Sequence, residues 1–145
     1  MAVRAAVPRL FFMLYESGMK LRNPCGSKAR FVWKQGNARL PWRCHFAARP
    51  EVKTVFVCEG ETDVLAALAA GLEVLHPKQG QPASEVVACP GTAFREAWGP
   101  LFSGKRAVLL FDGDEAGRLA ARRTAAILGE YALSVCVAGW EGGDS

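Results

Sequence analysis

Two short stretches place acidic residues where an apolar run ends: VFVCEGETD, residues 55–63, and VLLFDGDEAG, residues 108–117. Glu59 closes the first run and Glu61 and Asp63 follow it; Asp112 and Asp114 close the second, with Glu115 next. Carboxylates this close repel one another unless something positive sits among them. Oxygen-only ligands with open positions suit Mg²⁺ or Mn²⁺, which keep several waters and bind phosphates. Such ions stabilise the attacking and leaving oxygens of phosphoryl transfer. Helix capping is the competing explanation. Asp114 is a plausible N-cap, and Glu61, Asp63 and Glu115 in a first helical turn each contribute about 0.3–1 kcal/mol through the helix dipole. Glu59 and Asp112 fit capping poorly, because they stand on the strand side of the turn. Gly60 and Gly113, between the acids, suit a sharp turn and a close approach of backbone to ligand.

Such a turn needs strands and helices to position it. KTVFVCEG (53–60) is the β-branched run of a strand buried on both faces. ETDVLAALAAGL follows as a helix with Val64, Leu65, Leu68 and Leu72 on one stripe and Gly71 at its end. EVVACPG (85–91) predicts a second strand, AFREAWGPLF a short helix, RAVLLFDGD a third strand, 115–130 a helix and LSVCVAGW (133–140) a fourth strand. Alternating strands and helices imply an α/β fold, a Rossmann-like, mostly parallel four-stranded sheet with flanking helices. In such sheets ligands sit beyond the carboxyl ends of the strands, where these acids fall. If the first and third strands are neighbours, Glu59 meets Asp112 and Asp114 across one strand spacing, roughly 5 Å.

Residues 1–50 have a different character: short extended segments broken by turns, with RLFFMLYESG readable as helix or strand. The expected organisation is a small basic β-rich extension over 1–50 and the α/β domain over 51–145. Residues 1–57 hold eleven Lys or Arg against two acids, whereas residues 58–145 hold seven against twelve. A basic front suits a polyanion and an acidic rear a cation, although solvated surface charge explains much of the former. The front carries Lys20, Arg22, Lys28, Arg30, Lys34 and Arg39 with Trp33 and Trp42 among them. It reads either as a phosphate-tracking surface with aromatic platforms or as a small meander with tryptophans in its core. The five cysteines form no CxxC pair, which argues against a zinc ribbon or a disulfide framework. Cys58 and Cys136, inside apolar runs, are expected to be buried. LFFMLY is too short to span a membrane, and a cytoplasmic protein is expected.

VFVCEGETDVLAALAAG, VVACPGT and AVLLFDGDEAGRLAARR together resemble the TOPRIM domain in its primase-type version, over about residues 52–140. The family's Glu-Gly-x-x-Asp motif matches at Glu59, Gly60 and Asp63, its Gly-Thr at Gly91 and Thr92, and its Asp-x-Asp at Asp112 and Asp114 around Gly113. The resemblance implies that Glu59 is a general acid or base or a metal ligand, and that Asp112 and Asp114 bind Mg²⁺ (or Mn²⁺). It implies a DNA primase-type nucleotidyltransferase acting in DNA replication or repair. DNA or RNA and nucleoside triphosphates would be its partners, together with a helicase or other primase domains, and no membrane. Primases usually carry a Gly-Lys-Asp turn after the fourth strand; EGGDS stands here, with Asp144 in the place of the acid and glycine in that of the lysine. Neither a cysteine-rich zinc module nor a helicase segment is seen, so a piece of a larger primase or primase–helicase is expected. A TOPRIM-type nuclease and a non-catalytic nucleic-acid-binding accessory module are the alternatives. A haloacid-dehalogenase-like phosphatase also places Asp-x-Asp at a strand end, but it leaves Glu59 unexplained.

Overall fold

The computed structural model describes residues 11–15, 18–22, 31–36, 40–78, 82–90 and 93–138, the first three of these segments as backbone. The chain divides into two compact units, Met1–Arg39 and Leu40–Ser145. In the first, β1 (Phe11–Tyr15), β2 (Gly18–Arg22) and β3 (Phe31–Gly36) form an antiparallel sheet in the order β1-β2-β3. RLFFMLYESG therefore contains a strand. The register sets Lys20 opposite Trp33 and Arg22 opposite Phe31, so two basic and two aromatic positions share one face of the sheet.

The second unit starts with a short helix, α1 (Cys44–Ala47), and continues through β4 (Val52–Cys58), α2 (Glu61–Ala69), β5 (Ala83–Ala88), a 3-10 helix (Glu96–Phe102), β6 (Arg106–Leu110), α3 (Glu115–Leu128) and β7 (Ser134–Val137). The four strands pair in parallel in the order β5-β4-β6-β7. The α/β fold read from the alternation of elements is the observed one, with a sheet that is parallel throughout.

Strand side chains alternate between two apolar layers. Val52, Val55 and Val57 of β4, with Ala107 and Leu109 of β6, pack with Trp98 and Phe102 of the 3-10 helix and Ala121 and Leu128 of α3. On the opposite face Cys58, Val86 and Ala88 pack with Val64 and Ala67 of α2. α2 ends at Gly71, whose φ of 83° only glycine adopts without strain. Leu65, expected on the buried stripe, is 41% exposed. Cys136 is also exposed rather than buried. It lies on β7, the edge strand, and its neighbour Val135 is the residue that packs into the α3 layer.

Trp42 does not belong to the N-terminal meander. Its backbone forms an antiparallel bridge to Ala88 at the outer edge of β5, and its side chain packs on the α2 layer. The next residue, Arg43, has a left-handed φ of 71°, unfavourable for a side chain with a Cβ. Its guanidinium holds it there. Nη2 donates to Glu73 Oε2 at 2.6 Å and Glu85 Oε1 at 2.7 Å, and Nε donates to the Val86 carbonyl at 3.1 Å. Glu85 is completely buried, and its Oε2 has no hydrogen-bond partner among the described residues. Burial, and secondarily Glu73, holds its carboxyl above the ordinary range against the opposing pull of Arg43 and the Val86 N–H. Lys105, also buried, ties the entry of β4 to that of β6 by donating to the Arg49 and Val52 carbonyls at 2.8 and 2.7 Å.

Removing one partner of a buried ion pair costs more than the pair contributes, because the other charge is stranded. Arg43→Ala is expected to lower stability by about 3 kcal/mol, and Arg43→Ala/Glu85→Gln to recover part of that loss. A carboxyl whose folded pKa is raised weakens the fold as pH climbs through that pKa. The Arg43→Ala deficit should therefore shrink on acidification, as read by urea unfolding at a series of pH values.

Candidate functional site

The chain leaves β4 toward α2 on one face of the sheet and β6 toward α3 on the other. Adjacent parallel strands whose connections diverge open a crevice at their carboxyl ends, the usual ligand position in such sheets. Cys58 pairs with Leu110 at the last register position of β4 and β6, so Glu59 and the Phe111–Asp112 turn stand side by side. Glu59 Oε1 accepts a hydrogen bond from the Asp112 N–H at 2.5 Å. The two acidic motifs, fifty-three residues apart in the chain, are thereby joined.

Asp114 takes the N-cap position of α3, and its Oδ1 accepts from the Gly117 N–H at 2.7 Å. The capping explanation therefore holds for Asp114, which keeps its second carboxylate oxygen for another partner. Asp112 is exposed, and its carboxylate makes no hydrogen bond or ion pair with another described residue. Glu61, expected as a first-turn acid, is 1% exposed at the start of α2, and Asp63 stands on the exposed side of that turn.

The electrostatics record the crowding. Desolvation first, then the charges of Asp112, Asp114 and Asp63, hold the Glu59 carboxyl above its usual range, against the Asp112 N–H bond that favours its ionised form. Desolvation and then Asp112 likewise raise Asp63, opposed by a hydrogen bond to the Gly60 backbone. Burial pushes the thiols of Cys58 and Cys89 up to about 12, which favours their neutral form.

The glycines need a revised account. Gly60 has an extended φ of −142°, Gly113 has no positive φ, and a Cβ at either position meets nothing closer than 3.8 Å. Neither turn requires glycine for backbone reasons. Gly117 does: a Cβ there would lie 2.1 Å from the Asp112 carbonyl oxygen, so α3 approaches the acidic turn only because that side chain is missing. Arg118, one residue on, donates to the Gly113 carbonyl and holds the turn from its other side. The signal for both residues was present in FDGDEAGR, at a fixed offset from the acids.

Of the other expected site residues, Gly91, Thr92, Asp144, Lys28, Arg30 and Arg39 lie outside the described residues, and Lys20, Arg22 and Lys34 are placed on β2 and β3 by backbone. Among the described residues no three His, Cys, Asp or Glu side chains are gathered closely enough to hold a metal ion. The donors at the crevice are all carboxylate oxygens, the chemistry of a hard cation, and Mg²⁺ is commonly held by one or two carboxylates with waters completing its shell. In that chemistry the residues fit. Beside Glu59 opens a cleft of about 760 Å³, walled by Cys89, Phe94, Phe111, Arg123 and Ile127 among others. A smaller one of about 250 Å³ lies on the β7 side of the turn, with Asp112, Gly113 and Arg118 in its wall. No helix among the described residues is long and apolar enough to cross a membrane.

The Toprim-like family matches this chain over residues 56–144, more than half its length. Among solved structures the chain is similar to the crystal structure of the Aquifex aeolicus primase (zinc binding and RNA polymerase domains), with a TM-score of 0.62 and 20% sequence identity. The match covers 88% of this chain and 32% of that one, so the chain spans about a third of the length of the primase it matches. At that identity the likeness concerns the fold. No curated protein sequence matches.

Two outcomes follow from the geometry of the turn. Gly117→Ala should destabilise the unit by about 1–3 kcal/mol, the usual cost of overpacking, and Asp114→Ala by about 1 kcal/mol through loss of the cap. Thermal or urea unfolding measures both. A carboxyl with a raised folded pKa makes stability fall as pH rises from the ordinary carboxylate range through that pKa. Glu59→Gln keeps the oxygen that accepts from Asp112 and should remove part of that fall, leaving a protein at least as stable as wild type at pH 7.

Proposed function

Because the chain belongs to the Toprim-like family and carries a TOPRIM domain of primase type, we propose that it performs Mg²⁺-dependent nucleotidyl transfer on nucleic acid, as a primase-like domain in DNA replication or repair. The observation that carries this reading is the hydrogen bond from the Asp112 N–H to Glu59, which sets the two acidic motifs side by side at the carboxyl ends of adjacent parallel strands, with Asp63 and Asp114 at the helix starts that follow. Among the described residues no arginine or lysine is paired with these carboxylates, and on this reading a hydrated cation held by one or two of them offsets their charge.

On this reading Asp112 and the free oxygen of Asp114 hold the cation, and Glu59 joins them or stands by as the proton acceptor. When bound, the ion supplies charge neutralisation to phosphate oxygens. The protein's own part is to keep the site in shape. Gly117 and Arg118 hold the turn, and the Glu59–Asp112 hydrogen bond keeps the two strand ends in register. The raised Glu59 carboxyl lies closer to the pH at which a general base works well than an ordinary glutamate does. Nucleoside triphosphates and a DNA or RNA strand are the proposed substrates, and a helicase or further primase domains the proposed partners. The basic and aromatic positions paired across β2 and β3 would give the strand a surface to follow.

A second reading, a nucleic-acid-binding accessory module without catalysis, is favoured by one observation: among the described residues no three His, Cys, Asp or Glu side chains are gathered closely enough to hold a metal ion.

Titration with Mg²⁺ or Mn²⁺, followed by thermal unfolding of wild type beside Asp112→Asn/Asp114→Asn, tests the cation. Wild type should gain stability with metal, by about 2.7 kcal/mol at a concentration a hundredfold above Kd, and the double variant should gain none. Nucleotide-incorporation and nuclease assays with Glu59→Gln and Asp112→Asn then separate the readings. Loss of an activity without loss of fold supports catalysis; wild-type binding to nucleic acid with no turnover supports the accessory module.

A further inference from the structure

The cleft beside Glu59 contains a cation that nothing so far has used. Arg123 lies on α3 and lines the cleft, and its side chain forms no hydrogen bond or ion pair with another described residue. An arginine with no partner in a cleft wall is a binding group awaiting an anion, and its planar fork suits phosphate. Among the described residues the rest of the lining is mostly apolar, Phe94, Phe111 and Ile127 with Cys89 and three alanines, and Thr124 is its one hydroxyl. The cleft thus has a guanidinium and a carboxylate in a wall that is otherwise largely apolar.

The distance is set by the helix. Nine residues separate Arg123 from the Asp114 cap, about 13 Å at the α-helical rise, and side-chain bonds on a helix tilt toward its N-terminus, here toward the acidic turn. Arg123 and the acidic turn are thus within reach of one extended phosphate-bearing ligand. Arg122, the neighbouring residue, is rotated about 100° around the helix and does not line the cleft.

We propose that Arg123 binds a phosphate of a nucleotide ligand that extends from the acidic turn into this cleft, with its sugar or base against the Phe94 and Phe111 wall. The phosphate belongs to a free nucleoside triphosphate or to a nucleotide of a strand, and both present the same chemistry to the guanidinium. This assignment rests on the nucleotidyl-transfer reading given above.

The test uses the full chain in Mg²⁺ buffer, with fluorescence anisotropy of a labelled single-stranded oligonucleotide and, separately, of a labelled nucleoside triphosphate. Arg123→Gln is compared with Arg122→Gln, which removes the same charge from the same helix. Both side chains are exposed, and thermal unfolding verifies that the variants fold. Arg123→Gln is expected to weaken binding about tenfold, the loss of one charge-assisted contact, and Arg122→Gln to stay within about twofold. Loss confined to the triphosphate assigns the phosphate to the free nucleotide. Loss confined to the oligonucleotide, with the salt slope reduced by about 0.7, assigns it to the strand. Equal weakening by both variants, or none by Arg123→Gln, overturns the assignment and leaves the nucleotidyl-transfer reading standing. If wild type binds neither probe, that reading falls together with the assignment.

Discussion

The parallel pairing of β4 with β6 is the constraint on which the acidic edge depends. It brings two motifs that are remote in sequence to the same end of the sheet, one strand spacing apart. Once there, Glu59 cannot avoid Asp112, and the hydrogen bond it takes from the Asp112 N–H makes one carboxylate the acceptor for the other's backbone. The attraction is local and the repulsion is shared by four carboxylates, so the fold holds the cluster together at a cost. The valine- and alanine-rich layers beneath the strand ends meet that cost.

The second control on the site is the way α3 begins. Asp114 caps the helix through Gly117, and the absence of a side chain at Gly117 lets the first turn come within contact of the Asp112 carbonyl. Helix start and acidic turn are therefore one mechanical unit. Capping and cation binding need not compete, because a carboxylate has two oxygens and the cap occupies one. The same helix then presents Arg118 to the turn on one flank and Arg123 to the large cleft on the other. A single element caps itself with Asp114, closes the turn through Arg118 and places Arg123 in the wall of the large cleft.

At the far edge of the sheet the logic is different. Arg43, held in a left-handed conformation by Glu73, Glu85 and the Val86 carbonyl, fastens the segment from Leu40 onward to β5. There, opposite charges are already matched within the protein. At the crevice no described arginine or lysine pairs with the carboxylates, and that contrast between the two clusters of acids supports the reading proposed for the second.

The α/β class, the run of strands and helices and the end of α2 at Gly71 were legible in the sequence, because they follow from apolar periodicity and local turn chemistry, which act over a few residues. So were Glu59 and Asp112 as acids that capping cannot explain. Other features depended on tertiary structure. The strand order β5-β4-β6-β7 cannot be read from a list of strands, and it alone makes Glu59 and Asp112 neighbours. The burial of Glu61 and the exposure of Leu65 and Cys136 do not follow from the sequence pattern, because periodicity says which residues share a face and not whether anything covers it. Gly117 matters through a carbonyl that packs against it, whereas Gly60 and Gly113, which looked like turn glycines, have room for a side chain. The sequence by itself determined which chemical groups this protein has and the elements that carry them. The packing of those elements decided which carboxylates must share one small volume, since like charges come together only where a larger apolar burial forces them to.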